Sequence, residues 1–379
     1  MSVRERDGRN AYDSARRLAP AQATAGPSMS TPDLREPQGV SESDQARRLR
    51  NGLVSLVVVG VLVIGLLLAV PGLHGVGHLV AHMSIGWLAA GAALEILSCL
   101  GYVLIFLTVF DRAPIVFGAR VALTEMAFGA AVSLGGAGSI AVGAWLLHER
   151  GVPTGRIAER SAVLFLLTSA INLLTLAGTG LALGLGILPG PRNPLLTFLP
   201  GGVCVALFLF FLVLPRLSDL GARTRGSGRL ATALHATATT IRATRGTLLR
   251  PDWRLLGAIA YLWCDIGVLW ACFQATGHTP PIAVIVLAYQ IGYLANVLPI
   301  PGNIGTLEGS FVGMLVLYGV KATPAAAASV VYHAIALWIP AIWGTFGFIR
   351  LRRSLKEPLT PRATREERAE LRRERRALK

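Results

Sequence analysis

Apolar runs of membrane-spanning length constrain this chain more than any other feature. Gly52–Val70, Ile85–Phe110, Ala162–Ile187, Thr197–Leu214, Leu255–Thr276 and Ala325–Phe348 each approach the roughly 20 residues that carry a helix across a bilayer. They predict an all-α, polytopic membrane protein with about six full spans. Two further apolar regions, Pro114–Leu147 and Pro281–Tyr318, are long enough for two crossings but are interrupted by glycine. Each predicts a re-entrant hairpin or a pair of short helices.

The second interruption, Leu298–Gly309, sets prolines, glycines and a carboxylate at membrane depth. Unpaired backbone groups cost several kcal/mol each in lipid, so such a break must be buried in protein or line a hydrated cavity. Interrupted segments of this kind point to a transporter's substrate site. The formal net charge of +15 does not imply nucleic acid, because the basic residues gather between and beyond the apolar runs rather than on one soluble face. They read as orientation signals, and the excess of 33 arginines over three lysines suggests a GC-rich bacterial source.

By the positive-inside rule, Arg47, Arg48 and Arg50 place the N-terminus in the cytoplasm, whereas the loop Pro71–Ser84 has no Lys or Arg and belongs outside. Asp111, Arg112, Arg120, Arg150, Arg156 and Arg160 bracket the first interrupted region on the cytoplasmic side. For the last span to end inside at Arg350, Arg352 and Arg353, the second interrupted region must begin and end outside. The chain then divides into a cytoplasmic extension (1–50), a transmembrane domain (51–349) and a charged cytoplasmic tail (350–379). Within that domain two halves, about 51–190 and 195–349, share one order of elements in opposite orientation and are separated by a basic linker (215–254). Gly136-Ala137-Gly138-Ser139 followed by Gly151-Val152 weakly resembles Gly302-Asn303-Ile304-Gly305-Thr306 followed by Gly319-Val320, which supports an inverted repeat.

Pro301-Gly302-Asn303-Ile304-Gly305-Thr306-Leu307-Glu308-Gly309, then Gly319-Val320 and the pair Tyr332-His333, resemble the closing motif of the lysylphosphatidylglycerol synthase transmembrane-region family. That family is the flippase-type membrane domain of aminoacyl-phosphatidylglycerol synthases and their stand-alone relatives. Asn303 replaces a glycine of the motif, and His333 stands where an arginine is expected. In the first half, Ala141-Val142-Gly143 occupies the place where the family tends to carry a basic residue. The resemblance implies a stand-alone member without the aminoacyltransferase domain, which moves a phospholipid or related polar lipid between leaflets. Its partners would be membrane lipids, either anionic or aminoacylated phospholipids or polyprenyl lipids, with oligomerisation left open.

A substrate path on this reading runs past Pro301, Gly302, Asn303, Gly305 and Glu308 at one gate and Gly135, Gly136 and Gly138 at the other, with His333 beside it. Glu95 and Asp265 lie near the middle of the second spans of the two halves, at positions the repeat relates. Such acids hold a proton, a basic partner or a cationic head group, or are neutral packing groups; Glu125 joins them. Arg120, Arg156 and Arg160 are candidates for lipid phosphate, since arginine's planar fork suits phosphate oxygens. His74, His78 and His82 recur every four residues, but a third ligand at i+8 lies about 12 Å along a helix, too far for one ion. They read as interfacial histidines on a segment that Gly75 and Gly77 weaken as a helix. Neither a metal nor a cofactor is expected. A membrane-embedded enzyme acting on a lipid or polyprenyl phosphate, and a non-transporting envelope scaffold, are the alternative functions.

Overall fold

The computed structural model describes residues 46–47, 49–55, 57–58, 74–111, 113–131, 137–223, 229–249, 252–294 and 304–356. Residues 49–55 are helical, and the middle of the expected span Gly52–Val70 lies outside the described residues. Eleven α-helices follow: α1 (His74–Ala81), α2 (Ile85–Val109), α3 (Ile115–Ala131), α4 (Ala137–His148), α5 (Thr154–Gly184), α6 (Pro194–Arg223), α7 (Arg229–Leu248), α8 (Leu256–Thr276), α9 (Ile282–Leu294), α10 (Ile304–Leu317) and α11 (Ala322–Lys356). No strand occurs among the described residues.

Five segments are long and apolar enough to cross a membrane: Ile85–Val109, Thr154–Gly184, Pro194–Arg216, Trp253–Thr276 and Ala322–Leu351. This is an all-α polytopic membrane protein. These five segments correspond to five of the six expected spans, with shifted ends. Thus α5 begins at Thr154 rather than Ala162, because Pro153 at its N-cap sets the start and the helix runs through the charged residues at its membrane boundary. Only 17% of the α6 window is buried within the protein, so its phenylalanines and leucines face lipid. Gly75 and Gly77 do not prevent a helix at α1, where His78 and His82 stack at 4.2 Å between ring centroids.

Each interrupted region is a pair of short helices, α3–α4 and α9–α10. The pairs repeat with nearly constant offset: 167 residues from Ile115 to Ile282, 167 from Ala137 to Ile304, and 168 from Thr154 to Ala322. The caps repeat as well. Gly151, at φ 79°, closes α4 as Gly319, at φ 88°, closes α10. Val152 N–H donates to Leu147 O at 3.1 Å and Val320 N–H to Leu315 O at 3.0 Å, so both ends are Schellman motifs, whose left-handed residue favours glycine.

The related helices α2 and α8 pack antiparallel, with Ser84 N–H donating to Ala275 O at 3.1 Å and Ser98 Oγ to Tyr261 O at 2.8 Å. Glycine permits the close approach. A Cβ on Gly101 would fall 2.6 Å from Tyr261 N and 2.8 Å from Gly257 O. Where lipid is as apolar as the side chains, helix association rests on such close packing. Gly344 brings α11 against Leu123 of α3, and Gly180 brings α5 within reach of Thr197 of α6. One buried cluster gathers Phe273, Ile285, Phe311 and Tyr332; another gathers Phe106, Phe128, Leu146 and Val163.

Candidate functional site

The α2–α8 crossing carries the polar centre of the molecule. Gly91 of α2 meets Val268 and Ala271, and Leu94 meets Gly267, so Glu95 and Asp265 face one another within electrostatic reach. Glu95 is 4% exposed. Its Oε1 lies 3.8 Å from Cys99 Sγ, and its Oε2 has no hydrogen-bond partner among the described residues.

Asp265 is half-buried and far better supplied. Tyr289 donates to its Oδ2 in a short hydrogen bond, and Tyr332 donates to its Oδ1 at 3.0 Å. Tyr332 Oη and Tyr293 Oη lie 2.9 Å apart, extending the network. Tyr289 and Tyr293 stand four residues apart on α9, hence on one helix face, with rings 4.7 Å between centroids. Phe311 of α10 stacks on Tyr332 at 5.8 Å. Side chains of α2, α8, α9 and α11 thus converge on one carboxylate.

A third carboxylate sits beside this centre. Glu125 of α3 is 7% exposed and accepts a hydrogen bond from Tyr102 Oη at 2.8 Å, and the Tyr102 ring lies 5.3 Å from that of Tyr261. The Glu125 carboxylate occupies the space that a side chain at Gly143 would need. His333 of α11 is buried next to Tyr332, ring centroids 5.1 Å apart. Its Nδ1 lies 2.9 Å from Ser329 O, and a carbonyl accepts there only from Nδ1–H. Nε2, buried without a partner among the described residues, is then the bare nitrogen.

A cavity of about 360 Å³ opens between the end of α2, the start of α3, the end of α4 and the start of α5. Arg150, Arg156 and Arg160 line it, with Asp111 and Phe117. Arg156 pairs with Asp111 at 3.8 Å, and the Arg150 guanidinium lies 5.0 Å from the centroid of the Phe117 ring. Among the described residues that line it, three guanidinium groups stand with one carboxylate.

The family model for the lysylphosphatidylglycerol synthase TM region matches residues 53–344, more than half of the chain. The chain belongs to this family. A UPF0104 membrane protein of Methanothermobacter thermautotrophicus is 36% identical over 90 residues, which cover 23% of this chain and 26% of that relative. The match thus spans about a quarter of the relative's length. The family is defined by a transmembrane region rather than by a catalytic domain.

Within this lysylphosphatidylglycerol synthase TM region, the structure brings together Glu95, Asp265 and the neighbourhood of His333, and separately Arg156 and Arg160. Arg120 stands apart from that cavity, with its carbonyl accepting from Thr124 Oγ1 and facing Gly347 of α11. Pro301, Gly302, Asn303, Gly135 and Gly136 lie outside the described residues. Gly138, Gly305 and Glu308 fall within the first turns of α4 and α10, where the backbone alone is described. Sequence reading missed Tyr289, Tyr332 and Tyr102 as carboxylate donors, Tyr293 as the partner of the Tyr332 hydroxyl, and Arg150 as a cavity residue. The i, i+4 tyrosines on α9 were the available signal; the others depend on contacts between distant helices.

Proposed function

We infer that this protein is a lipid translocator that moves a phospholipid or related polar lipid between leaflets of a bacterial cytoplasmic membrane without making or breaking a covalent bond. The observation that carries this reading is the polar centre at mid-height of the α2–α8 pair. An ionised carboxylate there costs roughly 2.5–3.5 kcal/mol even on lenient scales, and side chains of this kind mark substrate or ion paths. An anchor or scaffold has no use for two facing acids and three tyrosines from four helices.

On this reading a polar head group passes the centre while its acyl chains stay in the bilayer. The short-helix pairs form the two gates, with Pro301, Gly302, Gly305 and Glu308 at one and Gly135, Gly136 and Gly138 at the other. The cavity of Arg150, Arg156 and Arg160 collects the lipid phosphate at the cytoplasmic face. The N-terminal extension and the charged tail both lie in the cytoplasm, and anionic or aminoacylated phospholipids and polyprenyl lipids are the substrate classes.

The test is movement of labelled phospholipid by the purified protein in vesicles. Wild-type protein is expected to speed exchange between leaflets, Asn303→Cys to react with a water-soluble thiol reagent more slowly when lipid substrate is present, and Gly302→Leu to abolish movement. Exchange no faster than in protein-free vesicles would overturn the reading.

A further inference from the structure

The membrane segments that hold the buried acids contain no fixed cation. From Arg50 to Arg112, from Arg120 to Arg150, from Arg254 to Lys321 and from Lys321 to Arg350 the sequence has no intervening Lys or Arg. Yet Glu95, Glu125 and Asp265 all lie in these stretches. Among the described residues, neither Glu95 nor Asp265 has an ion-pair partner within 4 Å. The charge of the facing pair must be offset by something other than Lys or Arg.

The groups that face the pair narrow the choice. Cys99 and Tyr102 come from α2, Tyr261 and Cys264 from α8, Tyr289 and Tyr293 from α9, and Tyr332 and His333 from α11, with Glu125 of α3 behind Tyr102. Among the described side chains of α10, Phe311 is in contact, and α5 contributes apolar side chains such as Ile171 and Leu176. Of these groups only His333 can become a cation, and it lies beyond Tyr332 with Nδ1–H committed to Ser329 O. Two carboxylates facing across a low-dielectric helix interface do not both ionise; one keeps a proton.

We propose that Glu95 and Asp265 form a proton-binding site whose single exchangeable proton rests on Glu95 and is released during lipid movement. The hydrogen bonds assign the roles. Asp265 receives two hydroxyl hydrogens, which suit an anion; Glu95 is buried with an unpartnered oxygen, which suits a neutral acid. On release, the O–H bond of Glu95 breaks and the proton passes to a water molecule that enters the centre with the head group, leaving two carboxylates together. That doubly charged state is tolerated only while water or a polar head group fills the centre, so proton release and head-group entry favour each other. The coupling rests on the translocator reading, whereas the resting proton does not.

The experiment therefore has two arms. Infrared spectra of the protein in lipid nanodiscs at neutral pH should contain the C=O stretch of a protonated carboxyl group that disappears in Glu95→Gln, persists in Asp265→Asn and shifts in Glu95→Asp. A spectrum unchanged by Glu95→Gln would overturn the proton site whether or not lipid moves. In vesicles, an imposed proton gradient should change the rate of labelled-lipid movement several-fold for wild type and leave Glu95→Gln unresponsive. Wild-type movement indifferent to the gradient would overturn the coupling. A wild-type protein that moves no lipid but shows the Glu95 band would sink the translocator reading and keep the proton site.

Discussion

The carboxylate of Glu125 lies directly over Gly143, held there by the hydroxyl of Tyr102. A methyl group at position 143 would displace it and break the bond from Tyr102. Gly143→Ala is expected to cost about 1 kcal/mol, the scale of a hydrogen bond between membrane helices, and to lower the melting temperature in detergent. In a Tyr102→Phe background the same substitution should cost much less. Equal costs in both backgrounds would show that Glu125 and Tyr102 contribute nothing to holding α3 in place.

Gly101 and Gly257 set the distance between α2 and α8. Leucine at either position forces the backbones apart, at a cost of roughly 1–3 kcal/mol or more for overpacking. It also separates Glu95 from Asp265. Lower thermal stability and loss of the Glu95 infrared band are expected together, and an intact band in Gly101→Leu would contradict the packing argument.

Arg150 and Lys321 flank the Schellman motifs that end α4 and α10, just before and just after their glycines. If the two halves are inverted in the membrane, cysteines replacing these residues should be labelled by an impermeant reagent from opposite sides, Arg150 from the cytoplasm. Labelling from one side would sink the inverted repeat.

Arg156 is partly neutralised by Asp111 at 3.8 Å in the arginine-lined cavity. Both groups are partly exposed, so this pair contributes little to stability, on the order of 0–1 kcal/mol. Asp111→Asn should therefore leave melting nearly unchanged while raising the rate of movement of anionic lipid, and Arg156→Ala with Arg160→Ala should lower that rate several-fold. The contrast should fade as salt is raised, because the interaction is electrostatic. Rates for neutral and anionic lipid that fall equally would mean the cavity does not read phosphate charge.

Much of this architecture was legible because membrane insertion writes itself into composition. Long apolar runs fix helices, and glycine breaks divided the two interrupted regions into the observed pairs α3–α4 and α9–α10. The motifs Gly151-Val152 and Gly319-Val320 could be matched before the caps they form were known. Glu95 and Asp265 stood out because acids are rare in such runs, but their related positions did not say that they face one another; that depends on the packing of α2 against α8. The tyrosines did not stand out. A buried tyrosine in an apolar helix looks like packing until its hydroxyl is placed, and Tyr332 reaches Asp265 across 67 positions of sequence. Arg120 was grouped with Arg156 and Arg160 by proximity to one membrane face, but it does not line their cavity, and its backbone carbonyl packs at Gly347 of α11.

Gly151 and Gly319 close equivalent helix pairs, so if the two halves are inverted in the membrane the conformation of each half is a template for the other. Exchanging the two conformations would turn a cleft open on one side into the same cleft open on the opposite side, which is alternating access without any new backbone geometry. The energy gap between the two states then reduces to what the halves do not share. One such difference is visible: at offsets of 167 and 168 residues, Tyr289 and Tyr332 correspond to Ala122 and Leu164, which offer Glu95 no hydroxyl. Under that exchange, the two phenolic groups on one half would favour the conformation in which they reach Asp265.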